Sequence, residues 1–115
     1  MIFICYSKCS TCKGIEKTMK EKGLKFDKRD IKENNPQKDE IKEWHIQSKL
    51  PLKRFFNTSG LLYRELNLKD KINNMSDEEQ YELLQTDGML MKRPILLFDD
   101  QVLLGPDVKK YVESL

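Results

Sequence analysis

The chain opens MIFICYSKCSTCKG, and this stretch limits the fold more than any other. Residues 1–6 form an unbroken run of apolar strand formers, which reads as a strand buried on both faces. Ser7 and Lys8 close it as a turn. From Ser10 the spacing becomes helical: Cys12, Ile15 and Met19 fall three and four apart, with Lys13, Glu16, Lys17 and Lys20 between them. Gly23 is a natural helix stop. A buried strand that hands over directly to an amphipathic helix is how a parallel βαβ unit begins.

The remaining segments fit that start. LKFDKRDI (24–31) reads as a second strand through Leu24, Phe26 and Ile31. Asn35 and Pro36 suit the cap and first position of a helix presenting Ile41, Trp44 and Ile46 or Gln47, ending near Pro51. Residues 52–91 hold no convincing strand. GLLYREL reads as a short helix, and SDEEQYELLQTDG carries a capping box, Ser76 with Glu79, before Gly88. RPILLF and QVLLG flank Asp99–Asp100 as an antiparallel hairpin. Val108, Tyr111, Val112 and Leu115 then place an apolar stripe on a final helix. The expected architecture is a single α/β domain over 1–115, with a mixed four-stranded sheet and a helical insertion before the C-terminal hairpin.

Composition excludes several classes. Lys+Arg 21 against Asp+Glu 19 is too even a balance to point to direct nucleic-acid binding. No apolar run approaches the roughly 18 residues that span a bilayer. The opening run is too short for a signal-peptide core and lacks a basic lead. The chain is therefore expected to be a cytoplasmic monomer without a membrane partner. Three cysteines are not a disulfide scaffold, and in a reducing compartment a close pair points to redox, catalytic or metal chemistry.

Cys9 falls at the N-terminus of the first helix and Cys12 one turn in, on the same face. Free N–H groups and the positive end of the helix dipole favour an anion there, and thiolate is the reactive form of cysteine. A thiol with a pKa of ~8.5 is about 3% ionised at pH 7, whereas one at ~7 is about half ionised. Lys8 and Lys13 add positive charge nearby. Cys12 is placed to attack a disulfide formed at Cys9 and release the bound partner. Two other readings compete. Tetrahedral zinc needs four ligands, and only Cys5 and His45 remain, on separate elements; no metal is expected. Inert packing accounts for Cys12, which lies on the apolar stripe, but not for Cys9. Cys5, inside the strand, reads as a core residue, and His45 as a satisfied half-buried or surface histidine. Pro94 marks the edge or the entry of its strand. Arg93 just before it, taken alone, is a surface charge.

SKCSTCKG near the N-terminus, RDI at 29–31, FFNTSGLLYREL at 55–66 and KRPILLF at 92–98 occur in this order across nearly the whole chain. Together they resemble the arsenate-reductase-like family, which contains the ArsC-type arsenate reductases and the Spx-type regulators. The resemblance implies a thioredoxin-like (glutaredoxin-like) fold with a helical segment before the hairpin. It implies that Cys9 is the nucleophile, that Arg93 sits beside its thiolate, and that Pro94 is cis and faces the cysteine loop. Ser10, Thr11, Asn57 and Pro94 are the expected substrate-contacting positions.

The chain also departs from both branches. ArsC-type enzymes that use glutathione carry two further arginines, near the positions of Asn57 and Gly105, and lack the second cysteine. Spx-type regulators have the CxxC switch and bind the C-terminal domain of the RNA polymerase alpha subunit. Their glycine-containing loop after the second helix reads QSKLPLKRFF here. The chain also lacks their longer C-terminal tail. The leading expectation is a thiol–disulfide oxidoreductase with Cys9 as nucleophile and Cys12 as resolving thiol. It would use no bound cofactor, would be reduced by glutathione, glutaredoxin or thioredoxin, and would be poor at arsenate. The alternative is an Spx-like redox-sensing regulator.

Overall fold

The computed structural model describes all residues 1–115. Strands β1 (Ile2–Cys5), β2 (Asp27–Asp30), β3 (Ile95–Phe98) and β4 (Gln101–Leu104) form one sheet in the order β2-β1-β3-β4. β1 pairs parallel with β2, Ile2 opposite Asp27 and Cys5 opposite Asp30. β1 pairs antiparallel with β3, and β3 with β4. Helices α1 (Ser10–Glu21), α2 (Lys38–Ser48), α3 (Leu61–Glu65), α4 (Leu68–Lys71), α5 (Asp77–Thr86) and α6 (Pro106–Ser114) complete the chain. Short 3-10 turns occupy Leu52–Phe55, Ile72–Asn74 and Gly88–Leu90.

Alternation along β1 divides the core, because successive strand residues point to opposite faces. Phe3 and Cys5 join Cys12, Ile15 and Met19 of α1, Leu96 of β3, and Val108 and Val112 of α6. Ile4 points the other way, into a larger cluster with Ile41 and Trp44 of α2, Phe55, Tyr81 and Leu84. The hairpin turns at Asp99 and Asp100, both left-handed at φ 43 and 62, as a two-residue turn requires. Gly23, at φ 70, ends α1 as its sequence position suggests. Ser76 and Glu79 form the expected capping box.

Three local expectations are corrected. α2 is capped by Gln37 with Glu40, not by Asn35 with Pro36. The Asn35 amide instead donates to the Gln85 carbonyl at 2.9 Å, tying the loop to the end of α5. β2 is shorter than 24–31, because Leu24 and Phe26 pack against the smaller cluster outside the ladder. Ile46 is 63% exposed, so α2 faces the core through Ile41, Trp44 and the half-buried His45. The Nδ1 of His45 lies 2.6 Å from the Tyr81 hydroxyl, which satisfies the ring. Within 52–91 the only pairing is one antiparallel bridge, Phe56 with Met91. No helix is long and apolar enough to cross a membrane.

Candidate functional site: the cysteine loop and its cleft

The loop from β1 to α1 is held from several sides. The Cys9 N–H donates to the Tyr6 carbonyl at 3.0 Å, closing the turn. The Ser7 N–H donates to Asp30 Oδ2 at 3.2 Å, so the neighbouring strand pins the loop. Burial tends to raise the Asp30 pKa. Backbone N–H donors from Glu33, Lys32 and Ser7 outweigh it and hold the carboxyl below its usual range.

Cys9 is the N-cap residue of α1, with φ −87 and ψ 121, and its side chain makes no capping hydrogen bond. It is partly exposed, whereas Cys12 is 1% exposed. All three cysteines are free thiols. Cys12 packs with the buried Cys5 in the smaller core cluster. The Cys5 side chain, with burial, pushes the Cys12 thiol above the usual thiol range, against smaller opposing contributions from the Tyr6 backbone and Cys9. Cys12 thus lies between an inner thiol and an outer one. No group of three or more His, Cys, Asp or Glu side chains is arranged to hold a metal ion.

Cys9 opens onto a cleft of about 480 Å³, within the usual ~300–1,000 Å³ of small-molecule sites. Four separate segments build its walls. Cys9, Thr11 and Ile15 come from α1 and its cap, and Asn57, Ser59 and Gly60 from the loop before α3. Lys92 and Arg93 precede β3, while Gly105, Pro106 and Lys109 begin α6. The Phe56–Met91 bridge explains how two of these segments meet. The Asn57 N–H donates to the Leu90 carbonyl at 2.7 Å and the Lys92 N–H to the Phe55 carbonyl at 2.8 Å. The Ser59 hydroxyl donates to Asn57 Oδ1 at 3.3 Å.

The Arg93–Pro94 bond is cis. The guanidinium of Arg93 lies over the Tyr6 ring, 5.3 Å from its centroid, a cation–π distance. Its Nη1 is buried without a hydrogen-bond partner. A buried charged donor left unpaired is costly, so its position beside a cleft invites an acceptor from outside the chain.

Of the residues singled out from sequence, the cleft brings together Cys9, Thr11, Asn57 and Arg93. Cys12 stands behind Cys9 in the core. Ser10 and Pro94 do not line the cleft; Ser10 is exposed, and the Pro94 carbonyl accepts from the Gly105 N–H at 2.8 Å. Sequence reasoning missed Ser59, Gly60, Lys92, Pro106 and Lys109 as lining residues. Adjacency to Arg93 was the one available signal for Lys92, and Lys109 gave none.

A mixed β2-β1-β3-β4 sheet with paired cysteines at the first strand-to-helix junction defines a thioredoxin-like protein. The chain belongs to the ArsC family, whose model matches residues 5–113. The uncharacterized protein YusI of Bacillus subtilis (strain 168) is 47% identical over 114 residues, covering 99% of this chain and 97% of YusI. The regulatory protein MgsR of the same organism is 25% identical over 105 residues, covering 91% of this chain and 82% of MgsR. The crystal structure of an ArsC family related protein from Bacteroides fragilis superposes with a TM-score of 0.88 at 41% identity, covering 96% of this chain and 95% of that one.

Proposed function

We propose that this ArsC-family protein is a thiol–disulfide oxidoreductase of the cytoplasm, with Cys9 as nucleophile and Cys12 as resolving thiol. The observation that carries the reading is the contrast between the two sulfurs. Cys9 opens onto the cleft beside Arg93, and Cys12 is buried one helical turn behind it. In the proposed cycle the Cys9 thiolate attacks one sulfur of a substrate disulfide. A Cys9–substrate bond forms, the substrate S–S bond breaks, and the first substrate thiolate leaves. Cys12 loses its proton and attacks the Cys9 sulfur, forming the Cys9–Cys12 disulfide and releasing the second substrate thiol. Two thiols of glutathione, glutaredoxin or thioredoxin then return both cysteines to the reduced state.

Steady-state turnover of glutathione mixed disulfides and of a protein disulfide, by wild type and Cys9→Ser, tests this. Turnover that survives in Cys9→Ser overturns it. Arsenate is expected to be a poor substrate. A tetrahedral oxyanion beside a thiolate needs strong cationic donors, and arginine supplies paired ones. Asn57 and the Gly105 region stand where the resemblance places two arginines. Losing two charged hydrogen bonds at about 1.5–3 kcal/mol each weakens capture roughly 100- to 10,000-fold or more. Efficient turnover at micromolar arsenate with glutathione and glutaredoxin would overturn this expectation.

The similarity to the regulatory protein MgsR supports a second reading, a regulator; the Spx-type resemblance makes it a redox-sensing one that would bind the polymerase alpha subunit. Pull-down with the alpha C-terminal domain, with and without oxidant, discriminates the two. Oxidation-dependent capture with no thiol turnover favours the regulator.

A further inference from the structure

We infer that the cleft selects substrates bearing negative charge away from the reacting sulfur, through Lys92 and Lys109: small disulfides or thiols carrying carboxylates. The inference rests on the thiol-exchange reading above and names its substrate class. Charge is nearly balanced over the chain, 21 cationic residues against 19 acidic ones, yet this cleft is one-sided. Its eleven lining residues include Lys92, Arg93 and Lys109 and no carboxylate. Of the acids flanking this part of α6, Asp107 is engaged by Arg54 at 3.3 Å, and Glu113 lies 3.9 Å from Lys109 with both side chains well exposed.

Lys92 is held in place by packing. Its stem crosses Gly105, where an added Cβ would stand 2.8 Å from Lys92 Cε and 3.4 Å from Cγ. Gly105 also has φ 53, a conformation that side chains disfavour. The glycine therefore leaves both the space and the backbone path that lay the Lys92 stem along the cleft wall. Lys92 has no carboxylate partner within the chain. The buried Nη1 of Arg93 adds a further donor, one that lacks an acceptor.

Lysine is a compact charge on a flexible stem, without the planar fork that grips a tetrahedral oxyanion. Two lysines reaching in from different segments suit carboxylates held several bonds away from the disulfide. The chemistry is unchanged: Cys9 attacks, the S–S bond breaks, and the departing thiolate carries its own carboxylate past the lysines.

The test compares three small disulfides of similar size: dithiodipropionate (anionic), hydroxyethyl disulfide (neutral) and cystamine (cationic). Second-order rates with the reduced protein are each divided by that of mercaptoethanol with the same disulfide, which removes intrinsic reactivity. The normalised order is expected to be anionic, neutral, cationic, with the spread shrinking as salt screens the lysines. Lys92→Gln and Lys109→Gln should each lower the anionic-to-neutral ratio about two- to fivefold, the range of partly exposed charge pairs. Lys92→Arg should keep most of it, and Lys69→Gln, in α4 and outside the cleft lining, serves as control. Glutarate, which has no sulfur, should slow iodoacetamide labelling of Cys9 in wild type and do so less in the double lysine variant. Equal normalised rates for all three disulfides, or a ratio unmoved in the double variant, would overturn the inference while leaving thiol exchange intact. Glutarate protection without any disulfide turnover would keep anion capture and remove the oxidoreductase reading. Failure of both measurements overturns both.

Discussion

The two faces of the sheet differ in thickness and in what they carry. One face carries a cluster of seventeen buried residues, four from the sheet itself and the rest from α2 to α5, the 3-10 turns and the loops between them. The other carries a cluster of eight, Phe3, Cys5 and Leu96 from the sheet and five from α1 and α6, and two of those eight are Cys5 and Cys12. A buried thiol behaves as a small hydrophobe, so it costs the thin layer little to hold them there. The thick layer does the anchoring: its Phe56–Met91 bridge also fixes Asn57 and Lys92 on the cleft wall. Stability and reactivity are thus placed on opposite sides of one sheet and meet at the cleft.

The sharpest way to break this comparison is to remove the reacting sulfur. Cys9→Ser is expected to lower disulfide turnover by on the order of 10⁴-fold or more, the scale seen when a nucleophile is deleted. Its thermal midpoint should move little, because Cys9 is partly exposed and caps α1 without a side-chain hydrogen bond. A fall in midpoint comparable to that of a core truncation would show that the thin face carries stability as well.

Core truncations on the two faces give the next largest effect. Leu84 is fully buried in the thick layer, and Met19 fully buried in the thin one. Both substitutions by alanine fall within the ~2–5 kcal/mol range of such deletions. Leu84→Ala is expected near the upper end, because a rigid, many-sided layer cannot collapse into the cavity. Met19→Ala is expected near the lower end, because a two-helix layer can settle. Urea unfolding of both variants measures the difference, and equal losses would remove the distinction.

Much of this arrangement is legible in the sequence. The unbroken run in β1, the hairpin around Asp99–Asp100 and the Ser76–Glu79 box depend on neighbours within a few residues. Local spacing therefore identifies them. The start of α2 was misread because Asn35 and Pro36 fit a cap locally, while the Asn35 amide is claimed by Gln85, fifty residues away. β2 was overextended because Leu24 and Phe26 carry a strand-like alternation that tertiary packing uses otherwise. The cleft shows the same division. Cys9 and Cys12 lie within one turn and announce themselves. Lys109 reaches the cleft only because α6 folds back over α1, and no spacing encodes that.

Burial of Cys12 makes a pH prediction. Its thiol is pushed up by the neighbouring Cys5 side chain and by burial, so at neutral pH it is protonated. Attack on the Cys9–substrate disulfide needs the thiolate, whose fraction rises tenfold per pH unit below the pKa. The resolving step, followed by rapid quench after forming the mixed disulfide, should therefore accelerate about tenfold per unit from pH 7 to 9. A rate already flat across that window would mean that Cys12 ionises easily and that the thin face does not hold its proton. Two of the three thiols, Cys9 and Cys12, should be lost on mild peroxide treatment, with Cys5 remaining titratable.

The smallest expected effect tests how the thick layer is attached to the sheet edge. Arg29 of β2 donates two hydrogen bonds to Glu40 of α2, at 2.7 and 2.9 Å. Glu40 Oε1 also accepts from the Gln37 N–H at 3.1 Å as part of the α2 cap. Glutamine at position 40 can keep that cap acceptor, so Glu40→Gln removes mainly the charge. The Arg29 hydrogen bonds outweigh burial and hold the Glu40 pKa below its usual range. A carboxyl lowered on folding stabilises the folded state above its unfolded pKa, near 4.3, and loses that contribution as pH falls through the folded value. The pair is partly exposed, at 19% for the arginine and 39% for the glutamate side chain, so screening keeps it to about 0.5–1 kcal/mol. Glu40→Gln should therefore be less stable than wild type by that amount at pH 7, with the gap closing below about pH 4. Urea unfolding at the two pH values measures it. A loss several times larger would mean that a charge pair, and not apolar burial, holds the thick layer to the edge of the sheet.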